Sequence, residues 1–267
     1  MKILLTVAPN GARKTKEDIP SLPLTPEEIG ADAKACLEAG AAMIHLHVRN
    51  KSGLHSLNTH YYDEAIAQIK AQTEEQMLIQ VTSEAVGKYT PEEQFEMIHR
   101  LKPEFVSIGL REIKKLDDLD INENFNWMRQ NNVAPQLILY NERDLSLYKN
   151  WLEEGIIPGE AYPLLLVVGK AHIKDAFERT ALDESLKHVA SSWMVCAFGD
   201  QEFSAGKHSA ELGGHIRLGF ENNSCLENGE EANSNAELIK QMADYLLKNN
   251  HELAKYSDAR KIMQPDW

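Results

Sequence analysis

The sequence has little cysteine and no long apolar run. Its 3 cysteines, Cys36, Cys196 and Cys225, are an odd number, lie far apart and form no C-x-x-C pair. This usage gives no disulfide framework and is typical of a reduced cytosol. No apolar stretch approaches the roughly 20 residues of a membrane-spanning helix, and the apolar run near the N-terminus is too short for a signal peptide. We therefore expect a soluble, cytoplasmic protein.

Positive charge is scarce as well. The 28 lysine and arginine residues stand against 41 aspartate and glutamate residues, which gives a formal net charge of −13. Proteins that bind nucleic acid or an anionic membrane generally need a basic surface. The composition therefore predicts no nucleic-acid partner and no membrane partner. Local basic stretches, such as residues 13–16, are compatible with a small anionic ligand.

Eight short apolar runs alternate with helical patterns along the chain. Thr25, Thr90 and Ser234 each precede a helical pattern and are followed three residues later by glutamate, the spacing of a capping box. Eight strands with helices between them over 267 residues predict a (β/α)8 TIM barrel, a single domain over residues 1–267. The predicted strands are Ile3–Ala8, Met43–Val48, Leu78–Thr82, Phe105–Ile108, Gln136–Tyr140, Leu164–Val168, Trp193–Phe198 and His215–Phe220.

A doubly wound parallel sheet is the alternative fold. That fold would be expected to carry a G-x-G-x-x-G turn after its first strand. This chain instead has Pro9-Asn10-Gly11-Ala12 at that point, and no change of composition marks a second domain. The sequence therefore favours the barrel.

Two histidines end the second predicted strand, at His45 and His47, with Arg49 two residues further on. Alternate residues of a strand point to the same face, so the two imidazoles lie side by side. Such a pair is half of a divalent metal site. The pair alone is equally compatible with two hydrogen-bonded histidines in a polar cavity.

The end of the last predicted strand supplies an arginine and a carboxylate, Arg217 and Glu221. A barrel gathers all its strand ends at one face, where two histidines and one carboxylate form the open ligand set of a catalytic metal ion. This ligand set favours zinc, and iron, manganese and cobalt remain open. Arg217 could hold a substrate carboxylate. The alternatives are an inward-facing barrel charge paired with a glutamate for Arg217, and an ordinary surface carboxylate for Glu221.

A long segment, Asn10–Leu24, follows the first predicted strand and is expected to lie over the barrel mouth. Within it, Arg13 could meet an anionic part of a substrate or a coenzyme phosphate, or could simply be solvated. His215 is expected to be a packed residue or one that supports a ligand, and not a third histidine ligand. The other histidines are expected to be solvated or capping side chains: His55, His60, His99, His172, His188, His208 and His251.

Two motifs, H-x-H-x-R at residues 45–49 and G-G-H-x-R-x-G-x-E at residues 213–221, together resemble the β-keto acid cleavage enzymes. Residues 8–12, 22–28 and 234–236 extend the resemblance over nearly the whole chain. The resemblance implies a zinc-bearing barrel, commonly a homotetramer, that acts on a small-molecule β-keto acid with acetyl-CoA. The keto acid adds to the thioester, and a retro-Claisen step then yields a new acyl-CoA and acetoacetate.

The resemblance also implies roles for individual residues. The metal ligands would be His45, His47 and Glu221, and Arg217 would bind the carboxylate of the keto acid. The hydroxyl of Thr82 would lie beside the reacting centre, where the family usually has serine. Six further residues are predicted to bind the substrate, five of them at strand ends or in the loops that follow and one, Gln136, through its position in the family pattern: Asn10, Arg13, Ser107, Gly109, Gln136 and Asn222.

This chain departs from the family pattern at the expected general base. Asn222 stands where members typically have aspartate, and an amide cannot accept the substrate proton. Glu84 stands in a segment where members tend to have paired glycines, so it changes the size and charge of the pocket. Three explanations stay open: Glu84 acts as the base, the hydroxyl of Thr82 suffices, or the reaction has changed.

Two positions concern the substrate. Members that act on a 5-amino keto acid carry carboxylates at the positions of Arg13 and Gln136, so we expect this chain to prefer an anionic or neutral polar tail. One alternative function is a metal-dependent lyase or hydrolase of a small carboxylic acid that does not use CoA. Another is a non-catalytic barrel that binds a metal and an acid. Dependence on acetyl-CoA separates the cleavage enzyme from the lyase or hydrolase. Turnover separates both enzymes from the non-catalytic barrel.

Overall fold

A computed structural model describes residues 1–169, 186 and 191–266. Eight parallel strands form a closed barrel, in which the last strand pairs with the first, and a separate parallel pair joins β1 (Lys2–Ile3) to β10 (Glu252–Leu253). The fold is therefore the predicted TIM barrel. Its barrel strands are β2 (Leu5–Val7), β3 (Met43–Leu46), β4 (Leu78–Thr82), β5 (Phe105–Gly109), β6 (Ala134–Leu139), β7 (Leu164–Val168), β8 (Trp193–Ala197) and β9 (His215–Leu218).

Helices connect the strands around the outside of the barrel. Thr25 and Thr90 form the predicted capping boxes with Glu28 and Glu93. Ser234 caps its helix only through the hydroxyl, because Glu237 accepts from the backbone N–H of the preceding Asn233. The described helices are α1 (Pro26–Ala39), α2 (Thr59–Thr73), α3 (Pro91–Leu101), α4 (Leu110–Ile113), α5 (Asp118–Gln130), α6 (Glu142–Glu153), α7 (Gln201–Glu211), α8 (Asn235–Lys248) and α9 (Tyr256–Ile262).

The first predicted strand, Ile3–Ala8, is divided at Leu4. The backbone N–H of Leu4 donates to Nδ1 of His215 over 3.2 Å, so it is used by a side chain and not by the barrel ladder. Ile3 accordingly pairs with Leu253, while the barrel begins at Leu5. The same contact accounts for the position of His215. It packs against the first strand, as expected, and is not part of the histidine pair.

The C-terminal helix closes one end of the barrel. Ala259 and Met263 pack in the interior with Met43, Leu78 and Phe105, the first residues of three neighbouring strands. The amino end of the barrel is therefore filled with apolar side chains. The opposite end, where the strands finish, remains for the site, as in other barrels of this class.

One predicted connection cannot be compared with the structure. The helix expected between β7 and β8, together with His172 and His188, lies outside the described residues except at residue 186. Among the described helices, none is both long enough and apolar enough to cross a membrane.

Candidate active site

Three ligand atoms converge at the carboxyl ends of β3 and β9. The Nε2 atoms of His45 and His47 lie 3.1 Å apart. Oε2 of Glu221 lies 3.6 Å from the first of these nitrogens and 3.5 Å from the second. Both histidines are almost fully buried. The group has the composition and the spacing to hold a metal ion.

The turn that carries Glu221 is held on both sides. Gly219 has a φ of 139°, and a Cβ atom there would lie 2.5 Å from the carbonyl oxygen of Ala8, so only glycine fits. The N–H of Glu221 donates to the same carbonyl over 3.0 Å. The N–H of Phe220 donates to Oδ1 of Asn235 at the start of α8 over 2.7 Å. Backbone contacts to two elements thus aim the carboxylate at the histidines.

Glu202, near the start of α7, holds the flanks of this turn. One carboxylate oxygen accepts from the N–H of Gly219 over 3.0 Å, and the other accepts from the amide of Asn223 over 3.2 Å. Burial raises the pKa of Glu202 to about 8, against the opposing effect of these hydrogen bonds and of the positive charges of Lys14 and Arg217. The turn therefore rests on a deeply buried acid that sequence reasoning missed.

The protonation states at the ligand cluster suit a cation. Burial, reinforced by the charge of Arg217, holds the pKa of His45 well below its usual value. Burial alone would raise the pKa of Glu221, but Arg217 and the two histidines lower it well below the usual range. A neutral imidazole and an ionised carboxylate are the forms that bind metals, because each offers a lone pair. The residues present therefore fit a divalent metal ion.

Arg217 lies beside this cluster and is 4% exposed. Its Nη2 donates to Oε1 of Glu221 over 3.3 Å and to the sulfur of Cys196 over 3.4 Å. Its Nε and Nη1 are buried and have no hydrogen-bond partner among the described residues. The arginine is thus paired with a glutamate and also keeps donors for a further acceptor. Buried donors without partners are rare, and a carboxylate is the acceptor that a guanidinium fits best.

A cavity of about 450 Å³ opens above the cluster and is large enough for a small organic substrate. The expected covering segment after β2 contributes much of its wall. The lining residues are Asn10, Gly11, Ala12, Arg13, Lys14, Glu84, Gly169, Phe198, Gly199 and Glu221. A narrower space beneath it is lined by His45, His47, Thr82, Glu84, Ile138, Tyr140, Val167, Phe198, Arg217 and Glu221.

Glu84 links the mouth of the cavity to the ligand cluster. One carboxylate oxygen lies 3.7 Å from Nη2 of Arg13, which is largely exposed, and the other lies 3.9 Å from Nδ1 of His47. The N–H of Glu84 donates to the hydroxyl of Thr82 over 3.1 Å, which fixes the turn after β4. Thr82 and Glu84 therefore lie together beside the space where a substrate would react.

The other predicted substrate residues fall into two groups. Asn10 lines the cavity, and its amide donates to the carbonyl oxygens of Pro23 and His47. Ser107, Gly109 and Asn222 are not among the residues that line either the cavity or the narrower space. Asn222 instead borders a second cavity of about 400 Å³ behind Lys14.

Gln136, which was predicted to bind the substrate, has its side chain in the barrel interior. It is the third residue of β6 and lies inside the barrel, below the ends of the strands. Its amide group bonds to Gln80 and to the carbonyl oxygen of Leu164 and touches the sulfur atoms of Met194 and Met263. Gln136 is not among the residues that line the cavity or the narrower space.

His55 differs from its expected solvated or capping role, and Arg49, to which no role was assigned, supports the site. His55 is 5% exposed and not solvated, its Nε2 donates to the carbonyl oxygen of Glu84, and burial lowers its pKa to about 3. Arg49 does not join the metal cluster but supports the covering segment by donating to the carbonyl oxygens of Asn10, Gly11 and Lys14. Its position in the H-x-H-x-R motif was the signal for a role in the site.

Comparison with known proteins gives the family. The family model of the beta-keto acid cleavage enzyme matches residues 2–264. The chain is 29% identical to a 3-keto-5-aminohexanoate cleavage enzyme of Acetoanaerobium sticklandii, over 98% of each chain. It is 25% identical to a 3-oxoadipate:acetyl-CoA acetyltransferase of Cupriavidus necator, over 97% of this chain and 94% of that one.

A solved structure entitled "Ternary complex of ObcA with C4-CoA adduct and oxalate" shares the fold at a TM-score of 0.69. The two chains are 15% identical, and the match covers 91% of this chain and 67% of that one. The barrel, the ligand cluster and the whole-chain family match agree, and the protein belongs to the β-keto acid cleavage enzymes, which break a carbon–carbon bond of their substrate.

Proposed function

We propose that this enzyme cleaves a β-keto acid with acetyl-CoA at a zinc centre held by His45, His47 and Glu221. The observation that carries the proposal is the convergence of these three side chains with Arg217 beneath a cavity of suitable size. The relative named for acetyl-CoA supports the co-substrate. The two-histidine, one-carboxylate ligand set supports zinc.

The reaction conserves every carbon. A proton leaves the carbon between the carboxylate and the ketone, and that carbon bonds to the acetyl carbonyl carbon of acetyl-CoA while the CoA thiolate departs. The thiolate then adds to the original ketone carbon, and the bond between that carbon and the carbon that lost its proton breaks. The departing carbons take up a proton and leave as acetoacetate, and the remaining acyl group leaves as its CoA thioester.

Arg217 would anchor the substrate carboxylate. Within the part of the chain that the structure describes, its buried Nε and Nη1 have no partner, and its contact with Glu221 fixes the guanidinium beside the ligand cluster. A bound divalent ion would supply Lewis-acid stabilisation of the negative charge that develops on the ketone oxygen. By holding the carboxylate, the arginine would keep the ketone oxygen next to the group that stabilises its charge. The neighbouring carbon can then lose its proton to give an enolate.

Glu84 is our candidate for the group that accepts the proton. Its carboxylate borders both the cavity and the narrower space, whereas Asn222 lines a different cavity and an amide is no base. Thr82 lies next to it, and its hydroxyl oxygen accepts the N–H of Glu84, which leaves the hydroxyl hydrogen for a substrate oxygen.

The tail of the substrate would extend toward Arg13 at the mouth of the cavity. A positive, largely exposed side chain in this place favours an anionic or neutral polar tail over an ammonium group. The relative named for 3-oxoadipate, a keto acid with a carboxylate tail, supports this choice.

The test is formation of acetoacetate by the zinc-loaded enzyme with acetyl-CoA and β-keto acids that have anionic, neutral and amino-substituted tails. We expect turnover that requires acetyl-CoA and is abolished by a chelator. Consumption of keto acid without acetyl-CoA would instead indicate a lyase or hydrolase. Tight binding of keto acid with no turnover under any condition would indicate a non-catalytic barrel.

A further inference from the structure

We infer that Gln80 and Gln136 form a relay of two amides that fixes which ring nitrogen of His45 carries the proton. The other nitrogen then presents its lone pair to the ligand cluster. The direction of the relay is set by a backbone carbonyl oxygen on a distant strand. Neither glutamine touches the cavity, so both would be positioning residues. The effect on metal affinity rests on the proposed zinc centre, whereas the effect on the tautomer of His45 does not.

The relay crosses the barrel interior from β3 to β7. Nδ1 of His45 lies 2.9 Å from Oε1 of Gln80, its neighbour in the strand register. Nε2 of Gln80 donates to Oε1 of Gln136 over 3.0 Å, and Nε2 of Gln136 donates to the carbonyl oxygen of Leu164 over 3.4 Å. All three side chains are at most 1% exposed, so water does not compete for these bonds.

The far end of the relay determines its direction. A backbone carbonyl oxygen can only accept, so the amide nitrogen of Gln136 must face Leu164 and its oxygen must face Gln80. Gln80 must then donate to Gln136, which leaves its own oxygen toward the histidine. An amide oxygen only accepts, so His45 must donate from Nδ1. The neutral ring therefore carries its proton on Nδ1 and presents the lone pair of Nε2 to the cluster.

The surroundings of Gln136 oppose the reverse arrangement. Its amide nitrogen lies 3.9 Å from the sulfur atoms of both Met194 and Met263, which are weak acceptors and no donors. A flipped amide would place its oxygen against these sulfurs and the carbonyl oxygen of Leu164, with no donor to meet it. A buried acceptor without a donor loses its hydrogen bonds to water and gains none in return, which is unfavourable. The relay is therefore locked in one direction.

An amide relay also has an electrostatic consequence. A carboxylate at position 80 would accept from His45 just as well, but it would place a second negative charge near Glu221. Two neutral amides orient the ring and leave the net charge of the cluster unchanged. A bound divalent ion then keeps a net positive charge for the substrate, because one carboxylate and two neutral imidazoles neutralise only half of it.

The first measurement is the protonation of the histidine rings in the metal-free, full-length protein by two-bond ¹H–¹⁵N NMR. We expect the His45 ring to be protonated at Nδ1 and bare at Nε2. The His45→Asn variant identifies its signals. Protonation of His45 at Nε2 would overturn the relay whether or not the protein binds zinc.

The second measurement is zinc affinity, by competition with a chromophoric chelator. Groups that orient a metal ligand typically contribute 10–100-fold to affinity, and we expect a loss of about that size in Gln80→Leu. Gln136→Leu acts one bond further away and should lose less. Met194→Leu alters the packing around the relay without removing an amide and should bind like wild type. Equal affinity in folded Gln80→Leu and wild type would overturn the inference.

Two variants guard against a purely structural explanation. Gln80→Glu keeps an acceptor for His45, so it should bind zinc more tightly than Gln80→Leu, although a buried charge is the more disruptive change for folding. The double variant Gln80→Leu/Gln136→Leu leaves no amide unpaired and remains testable if the single variants fail to fold. Failure of wild type to bind zinc would refute the proposed metal centre, and the NMR result would still decide the relay.

Discussion

Arg217 and Glu221 meet over 3.3 Å across the turn at the end of β9, and the contact uses only one oxygen of the carboxylate. The other oxygen faces His45 and His47. The glutamate thus divides its two oxygens between the arginine and the histidines. Because each oxygen serves a different partner, changes at Arg217 and changes at the histidine ligands are expected to have separable effects.

The first prediction concerns the ligands. His45→Ala and Glu221→Ala should each lose bound zinc, because either change leaves only two ligand atoms, and the fold should survive since the barrel core is elsewhere. The measurement is zinc content after dialysis, with circular dichroism to verify folding. His60→Ala, at an exposed histidine of α2, is the matched control and should retain the metal. Full retention in either ligand variant would remove that residue from the set.

The second prediction concerns substrate anchoring. Arg217→Lys keeps the positive charge but loses the planar pair of donors that fits a carboxylate. Loss of one hydrogen bond to a charged group costs about 1.5–3 kcal/mol, so kcat/KM for the keto acid should fall roughly 10–100-fold. Zinc content should not change, because both Oε2 of Glu221 and the histidines remain. Unaltered kinetics would show that the substrate carboxylate binds elsewhere.

Much of the site could be predicted because its residues stand in short motifs at strand ends. The H-x-H pair, Arg217 and Glu221 meet in the structure because a closed barrel brings every strand end to one face. The strands Leu78–Thr82 and Leu164–Val168 were predicted with the observed bounds. The bounds of the first strand were not predicted, because the side chain of His215 accepts the N–H of Leu4 and divides the strand there. No local sequence pattern encodes that contact.

Depth within the barrel was harder to predict. Gln136 was assigned to the substrate because amino-substrate members of the resembled family carry a carboxylate at its position, yet the observed strand begins two residues earlier, and Gln136 is its third residue, with its amide bonded to Gln80 inside the barrel. His55 was expected to be solvated because it lies in a loop, whereas the turn that contains Glu84 covers it. The sequence did carry a signal for the relay, because Gln80 lies between Ile79 and Val81 in the middle of a mostly apolar strand, and a buried polar residue needs a partner.

The third prediction concerns substrate choice. Arg13→Glu should shift the preference from anionic tails toward amino-substituted tails, by about tenfold or more in the ratio of kcat/KM values, since the change reverses the charge at the mouth of the cavity. The control is Lys16→Glu, which reverses an exposed charge of the same segment that does not line the cavity. The measurement compares both variants on the panel of keto acids. An unchanged ranking in Arg13→Glu would show that the tail does not reach this residue.

The last prediction concerns stability against pH, through Glu202. Its pKa is about 8 in the folded protein and near 4.5 when unfolded, so between these values the folded state holds a proton that the unfolded state has lost. Stability from this group is therefore present at low pH and declines as pH rises from 4.5 to 8. Each unit of pKa difference corresponds to ~1.4 kcal/mol.

The variant Glu202→Gln removes this titration, so its free energy of unfolding should decline less between pH 5.5 and 8.5 than that of wild type. Asp32, whose pKa is raised to about 7 by burial, contributes in the same direction and leaves a residual slope. The measurement is urea unfolding of the metal-free protein at both pH values, with Glu211→Gln, at an exposed position of α7, as control. An equal decline in Glu202→Gln and wild type would mean that Glu202 is ionised throughout this range. The turn of Glu221 would then rest on a charged carboxylate, stabilised by the N–H of Gly219 and the amide of Asn223 more strongly than burial opposes it.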